Sequence, residues 1–587
     1  MRLVSFLALF TLFVGSVGAT EVNLEWVKTY DGPEGGHDAA NNIVTDVHGN
    51  VYVLGNSYGG VTGQDCVVAK YDTNGVEQWV SRFASTIYHY TGYDFCTSLA
   101  VDINENVYFT GFSAKFVSWK HSNITVKLDA NGNELWRRRY DGDSGTNLSH
   151  DGQSIALDAA GNVYVAGSGE FIEGNYANND FTVLKYAPDG TLVWERRYNR
   201  SNIYSDSMRS MVVDPAGNVY VTGYSSAAYK HHVFSTVKFD MEGNLLWEAD
   251  YTGPTIGLHE PTGIAVDIVG NVYVTGQSDG GETGFDCVTI KYDATGNELW
   301  IRRYVGAGDA RDIPRRIVVD QQANVIIAGY TRDEGGISLN PADSLTVKYD
   351  TFGNEVWVNL FDRPETYDDT IFGDLAVDIF GDVYVTGSNN TGGLTPYNVT
   401  TIKYGADGYT LWSRSQSFDG SNNRSRGLTL DNSGNVYVAG YTSFGGGAWD
   451  FLTLKYSQVL DKDGDGIPDN IDACPAEDST GFDVDNDGCI DTVSGLESLV
   501  ATLVTEGVIN EVLATSLISK IANADMSKDK DKVCTAIKQL QAFNREVRAQ
   551  EGHKISVEAT AYATGYADSV MTYLLAPLPK GELCASG

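Results

Sequence analysis

The heptapeptide GNVYVTG stands at residues 217–223 and again, letter for letter, at 270–276. Near-copies occupy 49–55 (GNVYVLG), 105–111 (ENVYFTG), 161–167 (GNVYVAG), 323–329 (ANVIIAG), 381–387 (GDVYVTG) and 434–440 (GNVYVAG). Successive copies start 56, 56, 56, 53, 53, 58 and 53 residues apart. A near-constant period of this size specifies an array of one supersecondary unit, each copy burying its apolar face against the next. A chain of 587 residues is also too long for one ordinary domain, so an array with additions is the natural division.

Residues 264–304 make one unit: IAVDIVGNVYVTGQSDGGETGFDCVTIKYDATGNELWIRRY. It contains four β-rich runs, IAVD, NVYVTG, CVTIKYD and NELWIRRY. Their Val, Ile, Tyr, Trp and Thr suit a pleated, half-buried surface, and corners of Gly, Asn and Asp separate the first run from the second and the third from the fourth. Four antiparallel strands repeated many times is the pattern of a β-propeller blade. The segment EWVKTYDG (25–32) matches only the fourth strand of a unit, while the last unit (426–458) lacks its own Trp strand. Pairing the two closes a ring and removes two exposed sheet edges. The expected fold is therefore an all-β, eight-bladed β-propeller closed by its first and last strands. A calcium-binding loop segment and a small all-α domain are expected to follow it.

Recurring residues are expected to serve the scaffold, since a catalytic group is normally needed once. Trp26, Trp79, Trp136, Trp194, Trp247, Trp300, Trp357 and Trp412 hold the fourth strand, where a flat ring can pack between sheets. Asp46, Asp102, Asp158, Asp214, Asp267, Asp320, Asp378 and Asp431 end the first strand, where a carboxylate can accept the N–H groups of the turn. Lys70, Lys127, Lys185, Lys238, Lys291, Lys348, Lys403 and Lys455 sit in the third strand, and eight Lys–Asp partnerships within blades are expected. The series AVD…GNVYVTG…TVKYD…GNELW resembles the SBBP β-propeller repeat over about 25–458. The DxxGNELW portion also resembles the tryptophan-docking motif of quinoprotein dehydrogenases, but the adjacent cysteine pair typical of those enzymes does not occur, so the likeness implies shared packing only.

Tight corners lie at one face, and the longer second-to-third and inter-blade links share the other, where variable loops carry recognition. Seven of nine histidines are assigned to those loops: His37, His89, His121, His150, His231, His232 and His259. They lack metal-ligand spacing. Tyr88, Tyr90 and Tyr93 are candidates for stacking on sugar rings.

The sharpest chemical signal follows the last unit, in DKDGDGIPDNIDACPAEDSTGFDVDNDGCID (461–491). Asp461, Asp463, Asp465, Asp469 and Asp472, with the Ile467 carbonyl and Gly466 for the turn, offer hard oxygen ligands at the spacing Ca²⁺ needs. Asp483, Asp485, Asp487 and Asp491 form a second, less complete set, with Ser494 where a further acid would stand. The stretch resembles the thrombospondin type-3 repeat, which implies that structural Ca²⁺ folds it into a stiff connector. No catalytic residue and no other cofactor are assigned.

The N-terminus, MRLVSFLALFTLFVGSVGAT, reads as a secretory signal peptide cleaved after about Ala19, and no other run is apolar enough to span a bilayer. Acidic residues outnumber basic ones 77 to 41, a formal charge of −36 that disfavours nucleic acid and anionic lipid. Of seven cysteines, Cys474 and Cys489 bracket the acidic loop and are the best disulfide candidates; Cys534 and Cys584 are a second pair. Cys66 and Cys287 hold equivalent places in distant units and cannot bond to each other. From 494 apolar residues recur at helical spacing, and the run LVTEGVIN…LISKIANA…QLQAFNREVRAQEGHKI resembles the FIMAH domain. The division is thus signal peptide 1–19, propeller 20–458, calcium linker 459–493 and helical domain 494–587. It points to a secreted or cell-surface binding and adhesion module for a glycan, polymer or protein. An extracellular enzyme (a polysaccharide lyase or hydrolase, or a quinoprotein-like oxidoreductase) and a purely structural envelope component are the alternatives.

Overall fold

The computed structural model describes residues 22–84, 93–114, 120–142, 148–173, 176–201, 204–228, 231–306, 311–332, 342–361, 368–390, 397–418, 421–443 and 447–458. Near the C-terminus it describes 514–515, 530–549, 560, 563–568 and 570–571. The calcium-ligand candidates Asp461 to Asp491 and the cysteines at 474, 489 and 584 lie outside the described residues, as do the signal peptide, His89, Tyr88 and Tyr90. The chain divides into two compact units, of which residues 22–457 form one.

Among the described residues of that unit, 32 strands form six four-stranded sheets and one eight-stranded sheet. The larger sheet is two four-strand groups joined by a single parallel bridge, Gln64 opposite Tyr93. A disulfide between Cys66 and Cys96 ties the same two groups. This pairing was not anticipated, whereas Cys287 is free and buried. Strand Val22–Tyr30 is hydrogen-bonded beside Asp450–Gln458 and completes the sheet of the last repeat.

The first strand of each group touches the first strand of the next. The order is Asp38–Thr45, Tyr93–Val101, His150–Leu157, Asp206–Val213, His259–Val266, Arg311–Val319, Asp368–Val377 and Asn422–Leu430, and the last of these touches Asp38–Thr45 again. Contacts between the innermost strands therefore run in a cycle.

Both glycines of the heptapeptide have steric causes. The first sits in the left-handed region at the corner, as at Gly49, Gly161, Gly217, Gly270, Gly381 and Gly434; the two departures, Glu105 and Ala323, are forced to φ of 61° and 60°. The last glycine faces a β-bulge in the innermost strand. A Cβ at Gly55, Gly223, Gly276 or Gly329 would strike the carbonyl of Ala39, Ser207, Glu260 or Ile313. The bulges add one residue to each inner strand, between Ala40 and Asn42, Met208 and Ser210, Pro261 and Gly263, Pro314 and Arg316, and Ser425 and Gly427. Pro261 and Pro314 are tolerated because this strand is the free edge of its sheet.

The repeated polar residues form seams, and here one expectation fails. The corner carboxylate accepts turn N–H groups, as Asp158 Oδ1 does from Ala160 (3.0 Å) and Asn162 (2.9 Å). Its second oxygen takes the hydroxyl of a buried tyrosine: Tyr52 to Asp46, Tyr164 to Asp158, Tyr220 to Asp214 and Tyr273 to Asp267, each at 3.0 Å. With that lone pair occupied, the lysine reaches across to the next group. Lys185 Nζ and Trp194 Nε1 both donate to the Met241 carbonyl, at 2.9 and 3.0 Å. Lys238 and Trp247 share Ala294 O in the same way, and Lys291 and Trp300 share Thr351 O. Two donors satisfy both lone pairs of one carbonyl. Of the eight expected Lys–Asp pairs, the described residues show one, Lys348 Nζ to Asp320 Oδ2 at 3.3 Å. That unit carries Ile326 where the others carry tyrosine, so the carboxylate is left open to the lysine. Five of the eight tryptophans pack between tyrosines of adjacent groups, as Trp247 does with Tyr220 and Tyr292; Trp79, Trp194 and Trp357 meet a single tyrosine each.

The seam between the ends of the array follows the same rule. Trp26 Nε1 (3.2 Å) and Lys455 Nζ (3.0 Å) both donate to Thr73 O, although they come from opposite ends of the unit.

In the other unit, helix Lys530–Ala549 buries Ile537, Leu540, Phe543 and Val547, a single stripe at helical spacing. Asn544 Nδ2 donates to Asp568 at 2.6 Å.

Candidate functional site

Three kinds of position escape the repeat and could carry function: the starts of the inner strands, the bulge residues, and the longer links.

At the strand starts, a buried side chain pins the link arriving from the previous group. Asp206 accepts the Arg200 N–H at 2.8 Å and Asp312 that of Gly306 at 2.6 Å. Burial pushes both carboxyls above their ordinary range. Asp38 does the same for Gly32 N–H (2.5 Å) and also accepts Tyr58 N–H (3.0 Å). Two groups place histidine there. His259 is buried with Nδ1 2.9 Å from Ser278 Oγ and Nε2 3.0 Å from Thr255 O, and burial lowers its pKa. His150 is buried at the equivalent place. His121, His150, His231, His232 and His259 thus lie on strands, which corrects their assignment to loops; only His37 among the described ones precedes its strand. His150 and His259 stand at the starts of inner strands because the link-pinning position needs a compact polar side chain under cover, whereas His121, His231 and His232 begin third strands.

Two histidines form matching dyads. His121 Nδ1 lies 3.0 Å from Asp151 Oδ1 and its ring stacks on Phe112 at 4.4 Å. His232 Nδ1 lies 2.9 Å from Glu260 Oε1 and its ring stacks on Tyr224 at 4.3 Å. The His232 bond, helped by Arg209 and Gln277, holds the Glu260 carboxyl below its usual range despite burial.

The bulge residues turn inward, where the inner strands face one another. One cavity of about 330 Å³ is lined by Arg209, Glu260, Thr262, Gln277, Arg315 and Arg316, among others. A second, of about 300 Å³, is lined by Asn41, Arg316, Gly373, Arg424, Arg426 and Tyr441. Arg316 borders both, and the second cavity touches strands on opposite sides of Asp368–Val377 and Asn422–Leu430, so it opens on the space the cycle encloses. Six bulge residues (Asn41, Arg209, Thr262, Arg315, Gly373, Arg426) contribute. The arginines are not among the candidates the sequence analysis names, because their position is not repeated from unit to unit. Their signal was in the sequence: MRSMVVD, PRRIVVD and RSRGLTLD place arginine five residues before the repeated Asp, where other units carry small or amide residues.

Among the links, Trp449 is 39% exposed, stacks on Tyr441 at 4.8 Å and meets His37 at 4.7 Å. Tyr93, from the proposed sugar-stacking trio, is also exposed. Close by, Asp31, Asp38 and Asp450 bring one carboxylate oxygen each within 4.8 Å of the others. Burial, Asp31 and Asp38 together push the Asp450 carboxyl up to about 6. No helix among the described residues is long and apolar enough to cross a membrane.

Comparison with known proteins matches residues 202–229 and 253–282 to the β-propeller repeat model and 493–572 to the FIMAH domain model. The chain carries β-propeller repeats and a FIMAH domain. It is similar to an uncharacterized WD repeat-containing protein, L264, of Acanthamoeba polyphaga mimivirus, at 23% identity over 390 residues. The match covers 56% of this chain and 26% of that protein, so the chain spans about a quarter of the relative's length. Among solved structures, the β-propeller domain of the Trilobed protease from Pyrococcus furiosus matches 63% of this chain and 96% of its own at 11% identity and a TM-score of 0.37. A PL25 ulvan lyase matches 71% and 93%, also at 11% identity and 0.37. A protein of unknown function from Dyadobacter fermentans matches 74% and 99% at 9% identity and 0.36.

Proposed function

We propose that this protein is a secreted or cell-surface, calcium-binding, eight-bladed β-propeller that binds a ligand without transforming it. Eight heptapeptide copies, the cyclic contacts of the inner strands and the shared Thr73 carbonyl support the blade count and the closure. A buried disulfide supports an oxidising compartment. Asp461, Asp463, Asp465, Ile467, Asp469 and Asp472, with the set Asp483, Asp485, Asp487 and Asp491, are proposed to hold structural Ca²⁺ between the propeller and the helical domain.

The observation that carries the binding role is the exposed Trp449 face, held rigid against Tyr441, beside a cavity that Tyr441 also lines. A fixed aromatic next to polar groups suits a glycan, with the ring on the sugar face and the polar groups on its hydroxyls. The test is a glycan array probed with the mature chain and with Trp449→Ala. Binding that Trp449→Ala abolishes supports the role; an array blank in the presence of Ca²⁺, or binding indifferent to Trp449, refutes it.

The His232–Glu260 dyad beside Arg209 favours a second reading, an extracellular enzyme acting on a polysaccharide. Release of new reducing ends or unsaturated products from bound glycan, lost in His232→Ala, would select it.

A further inference from the structure

The two cavities are built with one kind of cation. Arg209, Arg315, Arg316, Arg424 and Arg426 line them, and no lysine occurs on any of the eight inner strands. Only Arg316 is paired, with Asp374 at 2.9 Å. Among the described residues the other four make no ion pair. Each lies over a tyrosine ring instead: Arg209 over Tyr224 at 5.0 Å, Arg315 over Tyr330 at 5.4 Å, Arg424 over Tyr397 at 4.3 Å and Arg426 over Tyr441 at 5.4 Å. A guanidinium resting on a ring keeps its plane fixed while the N–H groups at its edge can bind; Arg315 also donates one of them to Tyr330 Oη at 3.3 Å.

Nearby acids neutralise this set only in part: Arg209 is near enough to Glu260 to help hold its carboxyl below the usual range. Glu260 is engaged by His232 and Gln277, and Asp374 accepts the Leu428 N–H (3.1 Å) besides pairing with Arg316. Asp38, Asp206 and Asp312 are buried at the strand starts and hold links. The rest of the chain is strongly acidic, with a formal charge of −36. Unpaired, pre-oriented guanidiniums inside an acidic shell repel stray anions at the surface and retain those shaped to reach the channel.

We infer that the two cavities together form an oxyanion site, which takes an oligomeric ligand whose carboxylate or sulfate groups are spaced so that one enters each cavity around Arg316. The assignment rests on the binding role proposed above and names the chemistry of its ligand.

Calorimetric titration of the mature full-length chain separates the possibilities. The probes are sodium sulfate, an oligogalacturonate, and a neutral malto-oligosaccharide of matched length. The oligogalacturonate binds, sulfate binds more weakly and competes with it, and affinity falls steeply with added salt. Arg424→Gln with Arg426→Gln weakens the oligogalacturonate by roughly tenfold to a hundredfold, the loss of a charge-assisted pair. Should that variant fail to fold, wild-type protein gives the same answer through phenylglyoxal: the oligogalacturonate slows modification of Arg209, Arg315, Arg424 and Arg426, mapped by mass spectrometry. Failure of both anions to bind, binding unchanged in the variant, or absence of protection overturns the oxyanion site. If only the neutral sugar binds, and Trp449→Ala removes it, the binding role stands and the oxyanion assignment falls.

Discussion

Asp158→Ala and Tyr164→Phe, made singly and together, test whether the tyrosine hydroxyl decides where the lysines go. Asp158 accepts four hydrogen bonds: N–H of Ala160 (3.0 Å) and Asn162 (2.9 Å), Asn162 Nδ2 (2.7 Å) and Tyr164 Oη–H (3.0 Å). In Asp158→Ala the turn groups border water and rehydrate, but Tyr164 is fully buried and its hydroxyl is stranded. The lost bonds and the stranded donor cost about 3 kcal/mol. Tyr164→Phe forfeits one charge-assisted bond, gross about 1.5–3 kcal/mol. The Ile326 unit shows how part of that is recovered, since Lys348 there adds a pair with Asp320 (3.3 Å) while keeping its bond to Ala406 O (3.2 Å). Lys185 Nζ stands 4.9 Å over the Tyr164 ring and can do the same, leaving a net cost of about 1 kcal/mol. With alanine at 158 a phenylalanine strands nothing, so adding Tyr164→Phe is neutral or restores about 1 kcal/mol, a coupling of about 1–2 kcal/mol. Urea unfolding at pH 7, followed by tryptophan fluorescence, reads these as midpoint shifts at a common slope. Partial burial pushes the Asp158 carboxyl up, but the bonds from Asn162 and Tyr164 outweigh it and hold it below its ordinary 3.8. Its contribution is therefore present above pH 3.8 and lost as pH falls through the lower folded value, and the coupling fades with it. Equal cost of Tyr164→Phe in both backgrounds would refute the competition between hydroxyl and lysine.

Three further outcomes are expected. Asp450→Asn stabilises the protein at pH 7 by about 1 kcal/mol after solvent screening; because the folded carboxyl titrates near 6, above its ordinary 3.8, wild type gains stability as pH falls through 6 while the variant does not, as thermal melts across pH 5 to 8 will show. Ala323→Gly relieves a left-handed alanine and raises the urea midpoint by the equivalent of about 1 kcal/mol, whereas Glu105→Gly gains less because Glu105 also pairs with Lys70 at 2.7 Å. Paired Cys66→Ser and Cys96→Ser lowers stability by about 3–4 kcal/mol for a closed loop of this size, and Cys287, its thiol pushed up to about 12 by burial, reacts with a thiol reagent only after unfolding.

What the sequence reveals about this fold is whatever each unit repeats. The period, the four strands, the pairing of 25–32 with the last unit and the tryptophan seams follow from patterns with many copies, because backbone geometry imposes one solution on each. The lysine partners did not follow, since three donors compete for one carboxylate and the winner depends on a hydroxyl whose reach only three-dimensional packing shows. Cys66 and Cys96 were not paired because they lie on the third strand of one group and the first strand of the next, a juxtaposition that strand identity alone does not give.

The channel is not legible in the repeats for the opposite reason. In a repeat array, positions alike in every copy are occupied with packing, so the residues free to bind something are those in which the copies disagree. The bulge shows this: the constant glycine across the strand makes room for it, while its own occupant varies through Asn41, Arg209, Thr262, Arg315, Gly373 and Arg426. The invariant residue holds the backbone open and the variable one sets the chemistry of the channel. Exchanging bulge residues between units should therefore alter ligand preference with little change in stability, whereas exchanging the glycine should unfold the unit. Loss of fold on an Arg426→Asn exchange, the residue that unit 38–83 already carries at its bulge, would break this division of labour.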